Sequence, residues 1–139
     1  MIPSRAYRQQ QDAGWTRIDL LLALYDGTID RLRRALAALR QGDPAAAAPL
    51  LARVQMLLLQ MAAGINPDAG DPSSADLLRL AEFCIHAAAS GEAEKIEAAA
   101  SCLETVREGF RAIRDEAVRL ERSGAVPPAR NGPLLEMCG

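Results

Sequence analysis

His86 is the only histidine in the chain, and its imidazole is the first candidate for chemistry. A lone histidine on a bundle helix can act as the phosphoacceptor of a phosphotransfer domain. Such domains place a basic residue and a glycine soon after the histidine, whereas here three alanines and a serine follow before Gly91. Because no lysine lies nearby to balance a phosphoryl group, we expect His86 to be a solvent-facing structural residue. A phosphotransfer bundle remains the rival hypothesis.

Acidic residues and cysteines are the next candidates, as metal ligands. A di-iron bundle needs Glu-x-x-His pairs, but Glu82 and His86 are four residues apart and no second histidine is available. The three cysteines are widely spaced and odd in number, which favours neither a disulfide framework nor a zinc site. We interpret Cys84 and Cys102 as small core residues and Cys138 as a tail thiol. The sequence therefore predicts no metal, no cofactor and no enzymatic activity.

Composition restricts the class of protein further. The 139 residues carry 16 basic and 18 acidic side chains, so no positive surplus favours nucleic acid as a partner. The N-terminal residues lack the apolar core of a signal peptide, and we expect no segment near the roughly 18 apolar residues that a membrane span needs. Half of the residues are hydrophobic and only 4% are aromatic, with alanine and leucine dominant. These features predict one soluble, all-helical domain.

The first long helix is predicted over residues 17–40. Thr16 and Asp19 resemble a capping box at its start. Gly42 suits a left-handed C′ position at its end, followed by Asp43 as an N-cap and Pro44 as the first residue of the next helix. Apolar residues repeat at three and four along it: Leu21, Leu24, Tyr25, Leu32, Leu36 and Leu39. The second helix is thus predicted to be antiparallel to the first.

Three further helices complete the predicted fold. The second has Pro49 near its start, where we expect a kink or a distorted first turn. Residues 64–72 have a loop composition, and Ser73 or Ser74 is expected to cap a third helix over 74–89. A fourth helix is predicted over 92–121, with Ile96, Ala99, Leu103, Val106, Phe110, Ile113 and Ala117 as its apolar stripe. The result is an antiparallel four-helix bundle over residues 15–124, with an N-terminal arm (1–14) and a flexible tail (125–139).

The run Leu20-Leu-Leu-Ala-Leu-Tyr-Asp-Gly27 inserts a glycine into the first helix. Glycine costs about 1 kcal/mol relative to alanine inside a helix, so its presence calls for a reason. We expect Gly27 to allow the close approach of another helix or of a bound partner, with Tyr25 and Asp26 beside the approach point. Packing within the bundle, with a hydrogen-bonded tyrosine, is the equal alternative.

An ordered set of short motifs resembles the flagellin-specific export chaperones, a FliS-like family of the flagellar type III secretion pathway. The set begins with Ala6-Tyr7 before three glutamines and the leucine-rich run that ends at Gly27. It continues through Gly42-Asp43, Leu50-Leu51, Gln55, Asp76-Leu77 and Val106-Arg-Glu-Gly-Phe110, and covers roughly residues 4 to 120. The third helix departs from the family pattern, because Ala81-Glu-Phe-Cys84 and Ala87 replace bulkier residues. Arg17, beside Trp15, stands where the family commonly has a proline.

The resemblance implies a non-catalytic helical bundle that binds the C-terminal segment of flagellin in apolar grooves. Such binding prevents premature polymerisation, and the loaded complex is presented to the export gate. The N-terminal segment with Tyr7 is implied to occupy part of the client surface. A homodimer and a structural bundle without a client are further possibilities. The client-binding residues that the resemblance and the pattern suggest are Tyr7, Leu21, Leu24, Tyr25, Asp26, Gly27, Gln55 and Leu58, although Leu58 also suits the core.

Overall fold

The computed structural model describes residues 16–65 and 72–124. They form five α-helices and no strand: α1 (Arg17–Arg40), α2 (Pro44–Ala63), α3 (Pro72–Ser90), α4 (Ala93–Ala112) and α5 (Arg114–Arg122). The predicted arm and tail, including Tyr7, Trp15 and Cys138, lie outside the described residues.

The predicted boundaries of α1 and the start of α2 are confirmed. The Asp19 carboxylate accepts hydrogen bonds from the backbone N–H and the hydroxyl of Thr16, at 3.4 and 3.1 Å. Gly42 has a φ of +74°, which is the left-handed conformation expected after a helix end. The Asp43 carboxylate then caps α2 by accepting from the N–H of Ala46 at 3.1 Å. This short turn makes α1 and α2 antiparallel neighbours.

The start of α2 shows one of the two features expected of it, a distorted first turn, whereas α3 starts differently from the prediction. α2 runs without interruption through Pro49, and the first bond of its initial turn, from Ala47 N–H to the Asp43 carbonyl, is long at 3.4 Å. α3 begins at Pro72, so neither Ser73 nor Ser74 is the N-cap that the sequence suggested. Proline at the first position supplies the helical φ and lacks the N–H that a cap would satisfy.

Four helices enclose one apolar core. α1 packs against α2 and α4, α2 against α3, and α3 against α4, which closes the ring of a four-helix bundle. The most completely buried side chains come from all four helices and include Leu32, Val54, Leu58, Cys84, Ile96 and Leu103. Alanines fill many of the remaining inner positions, including Ala35, Ala99 and Ala100. The predicted all-α bundle is therefore confirmed.

The predicted fourth helix is divided at Ile113. This residue leaves helical geometry, with φ −102° and ψ 5°, and it separates α4 from α5. Ile113 is 53% exposed, although its spacing placed it on the apolar stripe. α5 contains no buried residue and lies against α1 and α4. Apolar periodicity did not reveal the break, because one non-helical residue hardly alters a repeat of three and four.

Two single-residue predictions have opposite outcomes. Cys84 is fully buried, and burial raises the pKa of its thiol to about 12. Cys102 is exposed, so its assignment to the core was wrong. It occupies the helix face next to the inner residues Ala99 and Leu103, where periodicity alone places the boundary poorly. His86 is exposed on α3, as expected for a solvent-facing residue.

Ion pairs at seven-residue spacing join α1 to α4 and α5. The Asp19 carboxylate accepts two hydrogen bonds from the Arg114 guanidinium, from Nε at 2.6 Å and from Nη2 at 3.2 Å. Asp26 pairs with Arg107 and Arg111, at 3.1 and 3.3 Å. A third cluster is formed by Arg33, which pairs with Glu97 and, at 2.6 Å, with Glu104. Glu97 and Glu104 thus connect α4 to α1 through Arg33.

Candidate client-binding groove

An open apolar groove lies at the end of the bundle where α1 begins and α5 ends. Its volume is about 350 Å³. Residues of all five helices line it, together with Gly64 and Ile65, which follow α2. Most of the lining is apolar, with Arg17 and Glu121 as its charged members. The lining comprises Arg17, Ile18, Leu21, Tyr25, Met61, Gly64, Ile65, Leu77, Phe110, Ala117, Leu120 and Glu121.

An aromatic pair forms part of the groove wall. The rings of Tyr25 and Phe110 meet edge to face, with centroids 5.5 Å apart and planes at 76°. Such a pair contributes about 0.5–1.5 kcal/mol beyond the area it buries, so it holds α1 against α4 at this level. Burial raises the pKa of Tyr25 to about 12, so its phenol is neutral at physiological pH.

Charged groups join α1 to α5, and two of them, Arg17 and Glu121, line the groove. The backbone N–H of Arg17 donates to both carboxylate oxygens of Glu121, at 3.1 and 3.3 Å. The hydrogen bonds from Arg114 are the main cause that holds the pKa of the Asp19 carboxyl below its ordinary value. These two contacts attach α5 to the first turn of α1. α5, which forms part of the groove wall, is therefore held to α1 by two polar contacts.

The structure places the predicted client-binding residues in four different environments. Leu21 and Tyr25 line the groove. Leu24 and Leu58 belong to the core, with 8% and 1% of their surface exposed. Asp26 is exposed and does not line the groove. Gln55, half-buried on α2, donates from Nε2 to the Leu51 carbonyl at 3.4 Å. Tyr7 lies outside the described residues.

Gly27 does not provide space for another helix of the bundle. A Cβ built on it would meet only the end of Arg31, one turn along α1, at 3.2 Å from Nη1. Arg31 Nη1 donates to the Gly27 carbonyl at 3.0 Å. Among the described residues, the close approach expected from the sequence is thus an arginine of the same helix. Approach by a bound client remains a proposal.

Sequence reasoning missed much of the groove. Ile18, Ile65 and Leu120 were not suggested as binding residues, although all three line it. Leu120 lies three residues after Ala117, so it continues the three-and-four repeat of the predicted fourth helix, and this spacing is the signal that was available. Ile65 fell in a segment with a loop composition, where periodicity gives no information about which side chains point inward.

The described residues contain no group of three or more side chains arranged to hold a metal ion. Contrary to expectation, α2 is long and apolar enough to cross a membrane by length and composition, with a mean hydropathy of 1.4 over an 18-residue window. The core helix of a soluble protein passes the same test, and α2 contributes Val54, Leu57 and Leu58 to the core.

Comparison with known proteins identifies the family. No curated protein and no solved structure matches the chain. The family model described as the flagellar protein FliS matches residues 2–117, which are 116 of the 139 residues. This span includes α1 to α4, all three ion-pair clusters and most of the groove. The chain therefore belongs to the FliS family of flagellar proteins.

Proposed function

We propose that this flagellar export chaperone binds the C-terminal segment of flagellin in the cytoplasm, with apolar side chains of that segment seated in the groove. Binding there prevents premature polymerisation and keeps the client ready for delivery to the type III export apparatus. The observation that carries the proposal is the open apolar groove itself, in a chain of the FliS family.

The chemistry of the lining favours an amphipathic helix as the occupant. A site for a small polar molecule presents several converging hydrogen-bond groups, whereas this groove is lined mainly by aliphatic and aromatic side chains. An amphipathic helix presents side chains at i, i+3 and i+4 to such a groove and keeps its polar face in water. Because the Tyr25 and Phe110 rings are already paired, part of the surface is organised before the client arrives.

Two exposed apolar residues provide a matched test. Leu120 lines the groove and is 38% exposed, whereas Ile113 is 53% exposed and does not line it. Titration of a flagellin C-terminal peptide by calorimetry should show about tenfold weaker binding for Leu120→Ser, a loss of about 1.4 kcal/mol. Ile113→Ser should stay within about twofold of the wild type, since it changes exposed apolar area away from the groove.

Circular dichroism of both variants would show whether the bundle stays folded. Equal losses of affinity in the two variants would contradict the groove as the client site. No binding of the peptide by the wild-type chain would overturn the client assignment itself.

The N-terminal arm gives a second, independent test of the function. If residues 1–14 compete with the client, the free protein must release them before flagellin binds, which weakens the apparent affinity. Deleting them should tighten peptide binding, and Tyr7→Ala should have part of that effect. Weaker binding after the deletion would show that the arm contacts the client instead.

Two further partners are expected. The loaded complex is proposed to meet the export gate, and a second copy of the chain is the other expected partner. A non-enzymatic role is proposed, and the rival phosphotransfer role gains no support from its surroundings, because exposed His86 is followed on α3 by alanines and Ser90. A structural bundle without a client stays the alternative that peptide titration decides.

A further inference from the structure

The hydroxyl of Tyr25 is a polar group at the enclosed end of the apolar groove. Arg17, Leu21 and Tyr25 follow one another at intervals of four along α1, and all three line the groove. Exposure falls along this row, from exposed Arg17 through half-buried Leu21 to Tyr25, which is 7% exposed. The two ends of the row are about 12 Å apart along the helix. The groove therefore leads from solvent at Arg17 to a sheltered end at Tyr25.

The Tyr25 hydroxyl has no hydrogen-bond partner among the described residues. Within that part of the chain, the one side-chain nitrogen or oxygen that is both fully buried and unpaired is Nε of Arg107. The unpaired Tyr25 hydroxyl therefore keeps a small contact with solvent, and the open side of Tyr25 is the groove. Tyrosine hydroxyls usually find a partner when they are buried. The described fold thus leaves this hydroxyl free to bond to a group that enters the groove.

We propose that the Tyr25 hydroxyl selects the client, because it requires a hydrogen-bonding side chain within the apolar face that enters the groove. This inference rests on the proposed function, since it names what the seated segment must carry. A helix satisfies its own backbone groups except at its ends, so the partner is the amide of Asn or Gln or the hydroxyl of Ser or Thr. Leu21 lies one turn from Tyr25, so an apolar client residue should stand three or four positions from this polar one.

The selectivity follows from what a seated client does to solvent in the groove. In the free protein the groove is open, so water can reach the hydroxyl. A client helix expels that water. An apolar side chain at this point would leave the hydroxyl buried without a partner, and an unpaired buried polar group costs more than a hydrogen bond gains. The hydroxyl thus penalises an entirely apolar segment, and its main effect is on the choice of client.

Tyr25→Phe removes the hydroxyl and keeps the ring. The edge-to-face pair with Phe110 needs only the ring, so the groove wall should stay in place. Because the hydroxyl bonds to nothing in the described fold, the variant should be at least as stable as the wild type in thermal unfolding. In calorimetry it should bind a flagellin C-terminal peptide about two- to tenfold more weakly. A hydroxyl that only stabilised the bundle would instead lower the unfolding temperature when removed.

Thr28 supplies the matched control on the same helix. Its hydroxyl is buried, donates to the Leu24 carbonyl at 2.8 Å, and does not line the groove. Thr28→Val should therefore leave the peptide affinity within about twofold of the wild type. An equal loss of affinity in Thr28→Val and Tyr25→Phe would overturn the inference, because removing a hydroxyl away from the groove would then have the same effect.

A series of peptides identifies the client side chain that bonds to Tyr25. Each Asn, Gln, Ser and Thr of the flagellin peptide is replaced singly by Leu, Met, Ala or Val, respectively. One replacement should weaken binding to the wild type about tenfold and change binding to Tyr25→Phe by less than about twofold, because only the hydroxyl needs the polar group.

Two results would overturn the inference and leave the proposed function standing. One is equal affinity of the wild type and Tyr25→Phe for the unmodified peptide. The other is a series in which no replacement distinguishes the two proteins, since the hydroxyl would then bond to no client side chain. A wild type that binds no peptide would overturn the proposed function, and this inference with it.

Discussion

Replacing Gly27 by alanine tests why α1 contains a glycine. In the bundle, the added Cβ would lie 3.2 Å from Nη1 of Arg31, which is the far end of a long side chain. A shift of a few tenths of an ångström relieves this contact. The backbone at Gly27 is helical, since the described glycines with positive φ are Gly42, Gly91 and Gly124. Nothing in the described fold therefore requires glycine there.

The expected change in stability follows from two opposing contributions. Alanine gains about 1 kcal/mol of helix propensity over glycine. Moving Arg31 weakens its hydrogen bond to the Gly27 carbonyl, which is worth about 0.5–1 kcal/mol at a half-buried position. Gly27→Ala should thus change the free energy of unfolding by between about 0 and +1 kcal/mol. A gain of 1 kcal/mol raises Tm by roughly 3–5 °C for a chain of this size.

Gly109 supplies the matched control. It lies inside α4, is exposed, and a Cβ built on it meets nothing within 4 Å. Gly109→Ala should gain the full propensity difference of about 1 kcal/mol. Urea unfolding of both variants measures the two gains, and calorimetry with a flagellin C-terminal peptide measures binding separately.

The two measurements distinguish the possible roles of Gly27. A stability gain together with unchanged peptide affinity would show that neither packing nor the client needs the glycine. Weaker binding at unchanged or higher stability would show that the client approaches α1 at this point. A loss of more than about 1 kcal/mol of stability would refute the reasoning, because the described contacts contain no source for it.

Two further predictions concern charge and the single histidine. Arg114 lowers the pKa of the Asp19 carboxyl, so this pair contributes stability above the unfolded-state value of 3.8 that is lost as pH falls through the lower folded-state pKa. Wild type should therefore lose more stability than Asp19→Asn between about pH 5 and 3 in thermal unfolding; parallel curves would contradict the role of the pair. Incubation with a phosphorylated response regulator should leave His86 unlabelled, as in His86→Gln, and acid-labile phosphate on His86 would favour the phosphotransfer hypothesis.

Local sequence signals predicted the helices because they act within one or two turns. Thr16 with Asp19 and Gly42 with Asp43 fix helix ends through contacts between near neighbours, and each end was placed correctly. The break at Ile113 is accompanied instead by contacts of α5 with α1, which join residues about a hundred positions apart in the sequence. No local pattern encodes that contact.

The residues of the groove also divide into those that local sequence patterns predicted and those that they did not. Leu21 and Tyr25 were suggested because they lie on the apolar face of a long helix next to an unexpected glycine. Leu24 shares that face but points into the core, since a rotation of a few tens of degrees separates a groove residue from a buried one. Ile65 follows the end of α2, where no periodic stripe exists to identify it.

The absence of buried residues in α5 has a consequence for hydrogen exchange. Amides that open with little loss of apolar contact exchange first, so α5 should be the fastest-exchanging helix among those described. Ala117, Leu120 and Glu121 of this helix form one wall of the groove. A client seated there would slow exchange in α5 far more than in the already protected core of α1. The protection gained by α5 would then report occupancy of the groove, amide by amide, without any label on the client.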